Sequence, residues 1–237
     1  MDVRSISTNC TRTEFVGTAV LDTIGLVISG IDERLLKEMN IGTKYHALGL
    51  FSSRTGAAGQ ITAIDDAVKA TNTEVLSIDF PRDTKGWGGH GNYIVLGGND
   101  VSDVRHSIKL ALELTNKYAG ELYISESGHL EFAYSSNAGA ALQMAFHAAS
   151  GEAFGFMAGS PAAIGLVMAD TAMKASAVQI TRYMTPGIGT SHSNEVIIAI
   201  TGDASAVKEA VLQARQVGLE LLIGMGSYPE IPGTPYL

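Results

Sequence analysis

Short apolar runs alternate along the chain with longer stretches in which apolar residues recur every three or four positions. The runs Gly25–Ile28, Ala47–Phe51, Val75–Ile78 and Tyr93–Leu96 have the length and β-branched content of strands. Between them Ile61, Ile64 and Val68 share one helical face, as do Val104, Ile108, Ala111 and Leu112. Asp100 and Asp203 stand where N-caps belong, ahead of helices expected to run to about Lys117 and Gly218. The pattern predicts a mixed α/β (α+β) fold, a mainly antiparallel sheet with helices packed on one face.

The pattern then repeats. "AAGQITAIDDAVKAT" (Ala57 to Thr71) and "AAIGLVMADTAMKAS" (Ala162 to Ser176) agree at six of fifteen positions, Asp65, Lys69 and Ala70 matching Asp170, Lys174 and Ala175. Unrelated segments would agree at about one, so the unit is duplicated. Upstream, "IGLVIS" at Ile24 answers "LEFAYS" at Leu130; downstream, "YIVLGGNDVSDVRHSI" from Tyr93 answers "VIIAITGDASAVKEAV" from Val196. The offset drifts slightly, with the gap expected inside a glycine-rich loop. The division is a polar leader (1–19), copy one (20–119), copy two (125–224) and a tail (225–237).

Composition narrows the function. Charged residues are only 17% of the chain against 46% hydrophobic, which leaves few charges to cover a surface and suits a protein covered by copies of itself. A formal charge of −8 argues against nucleic acid. No apolar run reaches the roughly 18 residues of a membrane span, and "MDVRSISTNCTRTEF" lacks a secretory core, so the expected location is cytoplasmic. The single cysteine, Cys10, excludes an internal disulfide and zinc sites built on cysteine pairs.

"DTKGWGGHGNYIVLGGND" (Asp83 to Asp100) has the glycines of a nucleotide cradle, but they precede a strand instead of opening a helix, and Lys85 is not followed by Ser or Thr. With "TPGIGTSHSN" in copy two, it calls for another explanation.

The second copy supplies one. "EAFGFM" (Glu152–Met157), "ADTAMKA" (Ala169–Ala175) and "GDASAVKEAV" (Gly202–Val211) together resemble a bacterial microcompartment shell domain. Ala47–Phe51, Ile64–Ala70 and Asn99–Ile108 form a weaker version in copy one, with Asn99 in place of the glycine. Each copy carries its extra strand and helix ahead of this core, as in the circularly permuted, tandem-domain branch. "EFVG…DTIGLVI", "FPRDTKGWGGHG" and "GTSHSNE" resemble the trimeric type found in propanediol- and ethanol-utilisation compartments. The resemblance spans Glu14 to about Leu222. It implies a homotrimeric, pseudo-hexagonal tile in a microcompartment shell, pierced by pores for small polar metabolites such as alcohols or diols. Other shell proteins and encapsulated enzymes are the further partners it implies. Some tandem members hold an iron–sulfur cluster on a central cysteine; this chain has none there, and no cofactor or metal is expected.

The same resemblance makes the two loops pore-lining: Asp83, Thr84, Lys85, Gly86, Trp87, Gly88, Gly89, His90 and Gly91 in copy one, and Thr185, Gly189, Thr190, Ser191, His192 and Asn194 in copy two. Read plainly, His90 and His192 are loop histidines bonded to nearby carbonyls; read functionally, they donate to passing hydroxyls. Trp87 is either a gate or a side chain packed under its loop. Lys69 and Lys174 are either solvated lysines at helix C-termini or, as the resemblance implies, tile-edge contacts. Asp65 and Asp66 point about 100° apart on a helix, too divergent for an acid–base pair, and solvation is expected for both. Ser191 beside His192 lacks a nucleophile's context. The rivals to a shell protein are a metabolite-binding regulatory α/β protein and an enzyme using a loop histidine.

Overall fold

The structure, a computed structural model, describes residues 10–42, 44–56, 58–82, 90–226 and 228–237. The first copy comprises β1 (Phe15–Ala19), β2 (Thr23–Ser29), α1 (Glu33–Glu38), β3 (Ala47–Ser53), α2 (Ala58–Lys69), β4 (Glu74–Asp79), β5 (Asn92–Gly98) and α3 (Val101–Tyr118). The second repeats the order as β6 (Leu122–Ser125), β7 (Gly128–Ser135), α4 (Ala140–Phe146), β8 (Ala153–Ser160), α5 (Ala162–Ala175), β9 (Gln179–Met184), β10 (Val196–Gly202) and α6 (Ala204–Gly224). Each copy forms a five-stranded antiparallel sheet with the same strand order, β1-β2-β3-β5-β4 and β6-β7-β8-β10-β9. Asp100 and Asp203 cap α3 and α6, accepting from Ser102 N and Ser205 N.

Matched glycines anchor the long helices. A Cβ on Gly49 would lie 3.0 Å from Val104 and Ile108 of α3, and one on Gly155 would lie 2.8 Å from Val211 of α6. Only a glycine lets helix and sheet approach so closely. The neighbouring strand residues point the other way. Phe154 and Phe156 flank Gly155 and meet Phe146 of α4, with ring centroids 5.5 and 5.1 Å apart. The helices therefore occupy both faces of each sheet, not one as the pattern predicts. Strand periodicity records that a face is buried but not what buries it.

The register corrects the sequence match. Gly49 pairs with Leu96 and Gly155 with Ile200, so Leu96 and Ile200 are equivalent. The sequence match instead sets Leu96 against Ala199. A residue is lost at Asn99, between β5 and α3, where Gly98-Asn99-Asp100 answers Gly202-Asp203. A one-residue slip reverses every side chain in a strand, so pairing decides the matter.

Leader and tail also differ from expectation. β1 lies inside the segment expected as leader and forms an edge of the first sheet. The tail returns to β6 and the residue before it: Glu230 bonds Ile124 in both directions, and Tyr236 N and Leu237 N donate to Glu121 at 2.7 and 2.9 Å. Arg215 completes the shell of that fully buried carboxylate at 2.9 Å. Cys10 is exposed. Among the described residues no helix is long and apolar enough to cross a membrane.

The copies are joined by α4, wedged between its own sheet and α2 and β4 of copy one. α4 has no side-chain cap of its own. Asp65 supplies one from the other copy, accepting from Gly139 N at 2.9 Å, Ala141 N at 3.0 Å and Leu142 N at 3.2 Å. Lys69 Nζ lies 2.7 Å from the same carboxylate and donates to the Asn137 carbonyl. Asp65 is 1% exposed, which overturns the solvated role expected of it. Asp66 is also engaged, by the Tyr118 hydroxyl. Asp65→Ala strands three helix-terminal donors and takes one of three partners from the Lys69 ammonium, and should cost about 3 kcal/mol in urea unfolding.

Candidate functional site

The ends of the first expected pore loop meet the second loop inside one chain. Asp83, Thr84, Lys85, Gly86, Trp87, Gly88 and Gly89 lie outside the described residues. The ends of their loop are described. Arg82 and His90 form a β-bridge, and Gly91 N donates to Pro81 O at 2.9 Å. Across the junction Arg82 donates to the Ser191 carbonyl at 2.9 Å, so the loops of opposite copies are tied together.

Several residues of these loops hold the turns in shape. A Cβ on Gly91 would fall 2.0 Å from the Ser53 carbonyl, so this glycine permits a close backbone approach. Thr190 is fully buried, its hydroxyl donating to the carbonyls of Thr185 at 2.8 Å and Ser193 at 3.2 Å. Asn194 accepts from Ala162 N at 3.2 Å, at the start of α5. Gly189 adopts φ +86°, and Ser191 and His192 follow in the left-handed region at 51° and 65°. Ser191 and His192 are exposed, on the rim of the junction.

His90 is buried, and its partner is one that sequence reasoning missed. Glu195, 2% exposed, places Oε1 2.7 Å from His90 Nδ1 and Oε2 3.3 Å from His129 Nε2. The His90 approach is a close contact without hydrogen-bond alignment, since Oε1 has no aligned donor among the described residues. Burial pushes the Glu195 carboxyl up, but His129 and His90 outweigh it and bring it down to about 2. Glu195 thus stays anionic and ties the first copy's loop to the second copy's β7 and β10. The signal was present in "HLEFAYS" and "SHSNEV": ionisable residues inside or just before apolar strands need buried partners.

Beside this cluster a cavity of about 430 Å³, including its open mouth, lies between the copies. Phe80, Phe146, Phe156 and Met184 form apolar walls, and His90, Glu131 and Glu195 face it with polar groups. Glu131 accepts from Ala58 N at 2.8 Å, which fixes the start of α2. His90 Nε2 has no hydrogen-bond partner among the described residues. Among those residues no group of three His, Cys, Asp or Glu has the arrangement of a metal site. The arrangement offers polar contacts from His90, Glu131 and Glu195 in an apolar-walled gap.

The two lysines diverge. Lys69, expected at a tile edge, is spent inside the chain on Asp65, Asp66 and Asn137. Lys174 is exposed and, among the described residues, paired only with Asp170 of its own helix at 2.6 Å.

With this geometry, the comparisons define the class. The BMC domain model matches twice, over residues 47–127 and 153–229. The chain belongs to the BMC-domain family, with two domains in tandem. It is 48% identical over 229 residues to the bacterial microcompartment shell protein PduB of Citrobacter freundii, covering 97% of this chain and 85% of that one. A crystal structure of a trimeric shell protein PduB superposes with a TM-score of 0.90 at 42% identity, covering 94% of this chain and 99% of the other. EtuB from Clostridium kluyveri gives 0.93 at 45%, covering 96% and 100%. The chain is accordingly a structural shell protein of the tandem BMC-domain type.

Because Glu195 has a folded-state value near 2 against an ordinary 4.5, its contribution is complete above about pH 4.5 and is lost as pH falls towards 2. Glu195→Gln should flatten the loss of stability between pH 5 and 3 in urea unfolding. An unchanged slope would deny the clamp.

Proposed function

We propose that three chains close into a pseudo-hexagonal tile of a microcompartment shell, with passages for small polar metabolites at the junctions between domains. One observation carries the reading. In copy one, Ile61 and Thr62 of α2 are fully buried, whereas their copy-two equivalents on α5, Leu166 and Val167, are 52% and 44% exposed. Ile180 and Tyr183 on neighbouring β9 are also exposed, where the β4 equivalents Val75 and Ile78 are partly buried. The second copy thus presents bare the face that the first has covered by α4. At the other end of the chain, α1 is the counterpart of α4, and its Leu35 is exposed. A chain with a seat at one end and a wedge at the other associates head to tail. Such a contact avoids an open filament only by closing into a ring, and six equivalent domains need three chains. The relatives' trimeric structure supports this closure.

By the same equivalence Lys174 falls at the joint between chains, which replaces the tile-edge role expected of it. The loops tied by Arg82–Ser191 and His90–Glu195 frame the passage. Its lining suits small alcohols and diols, whose hydroxyls both donate and accept, and binding should be weak because a passage must also release. No catalysis is proposed.

Sedimentation at micromolar concentration should give a three-chain species, and electron microscopy should show flat, concentration-dependent sheets. A monomer at all concentrations would sink the tile. Crystals soaked in high concentrations of propane-1,2-diol should show it beside His90 or His192. Diol density only at remote surfaces, with unchanged shell permeability in a His90→Ala, His192→Ala variant, would remove the passage and leave the tile.

A further inference from the structure

The inner joint, between the copies of one chain, and the outer joint, between chains, differ in charge. At the inner joint α4 arrives uncapped, with Gly139 at its N-cap and Ala140 after it, and the buried Asp65 takes its free N–H groups. α1 arrives already capped. Its N-cap Asp32 accepts from Arg34 N at 2.9 Å, and Glu33 follows. Where α4 offers Asp65 three donors, α1 would offer the equivalent Asp170 two carboxylates and an occupied amide. Seated without a counterion, the outer joint would be repulsive.

Arg34 is the cation placed to act as that counterion. Aligning the two N-caps places Arg34 at the position of Ala141, one of the residues that meet Asp65, and Leu35 at that of the fully buried Leu142. The Arg34 side chain is 90% exposed and holds Asp32 at 2.8 Å, leaving guanidinium donors for a second carboxylate. Asp170 is 59% exposed and, among the described residues, bound only to Lys174. Lys69 also donates to the Asn137 carbonyl, and by the same alignment Gly30 of a second copy would offer Lys174 a carbonyl, which would free Asp170 to turn towards the arginine.

We infer that Asp170 of one chain and Arg34 of a second copy form the ion pair that registers the outer joint, with Leu35 of that copy seated on Leu166 and Val167. The inference rests on the tile reading. It makes the two joints chemically distinct: the inner one is buried and insensitive to salt, and the outer one, partly exposed, weakens as salt screens it.

The test is sedimentation of Asp170→Arg, Arg34→Asp and the double charge swap at low salt, with circular dichroism confirming folding and Glu113→Arg on α3 as a matched charge change elsewhere. Each single substitution should raise the chain–chain dissociation constant by about tenfold or more. The swap should return it to within about threefold of the parent, and Glu113→Arg should leave it unchanged. Single variants that associate like the parent, or a swap no better than the singles, would overturn the pairing while the parent trimer stands. A parent chain that never associates would instead overturn the tile on which the pairing rests.

Discussion

A carboxylate from one copy capping a helix of the other is the contact on which the rest of this structure depends. Asp65 is buried, and its three backbone donors all belong to α4. Removing the carboxylate would leave those donors in an apolar junction, so the α4 wedge has one favourable seating. That seating brings Phe146 against Phe80 at 5.6 Å and joins residues of both copies into one continuous core. It also sets Arg82 and His90 of the first copy against the second copy's loop, where Arg82–Ser191 and His90–Glu195 close the junction. The inner joint thus positions the candidate passage.

Duplication gives this joint a second meaning. A contact satisfied once inside the chain has a counterpart at each end left unsatisfied, an apolar seat on α5 and β9 and an apolar wedge on α1. Low charge and bare apolar residues, puzzling in a lone domain, are what a repeating contact leaves exposed at the ends of one chain. The duplicated Asp and Lys illustrate it. Asp65 and Lys69 are buried or half-buried in the joint, while Asp170 and Lys174, in the same motif, remain in solvent.

Much of this was legible in the residues. Strand and helix periodicities, the duplication and the shell-domain motifs all survive in the structure, because each is a local pattern repeated in order. What failed was non-local. Asp65 looked solvated because nothing in its own helix reveals a foreign helix terminus arriving above it. Gly91 and Thr190 hold their turns from inside, and loop chemistry alone does not separate a residue that braces a turn from one that faces a gap. Glu195 and His129 were missed because they are 66 positions apart and meet only after β7 and β10 join one sheet. The strand register slipped by one because a single residue, Asn99, sits where a sequence match sees no gap.

Hydroxyl-radical footprinting of the chain, dilute and then assembled, tests the central claim most directly, because it reads the repeated joint residue by residue. Ile61 should be protected in both states, being covered inside each chain. Leu166, Val167 and Leu35 should be labelled when dilute and protected on assembly. Assemblies in which those three residues label as strongly as in the dilute chain would contradict the account, since the outer joint would then lie elsewhere.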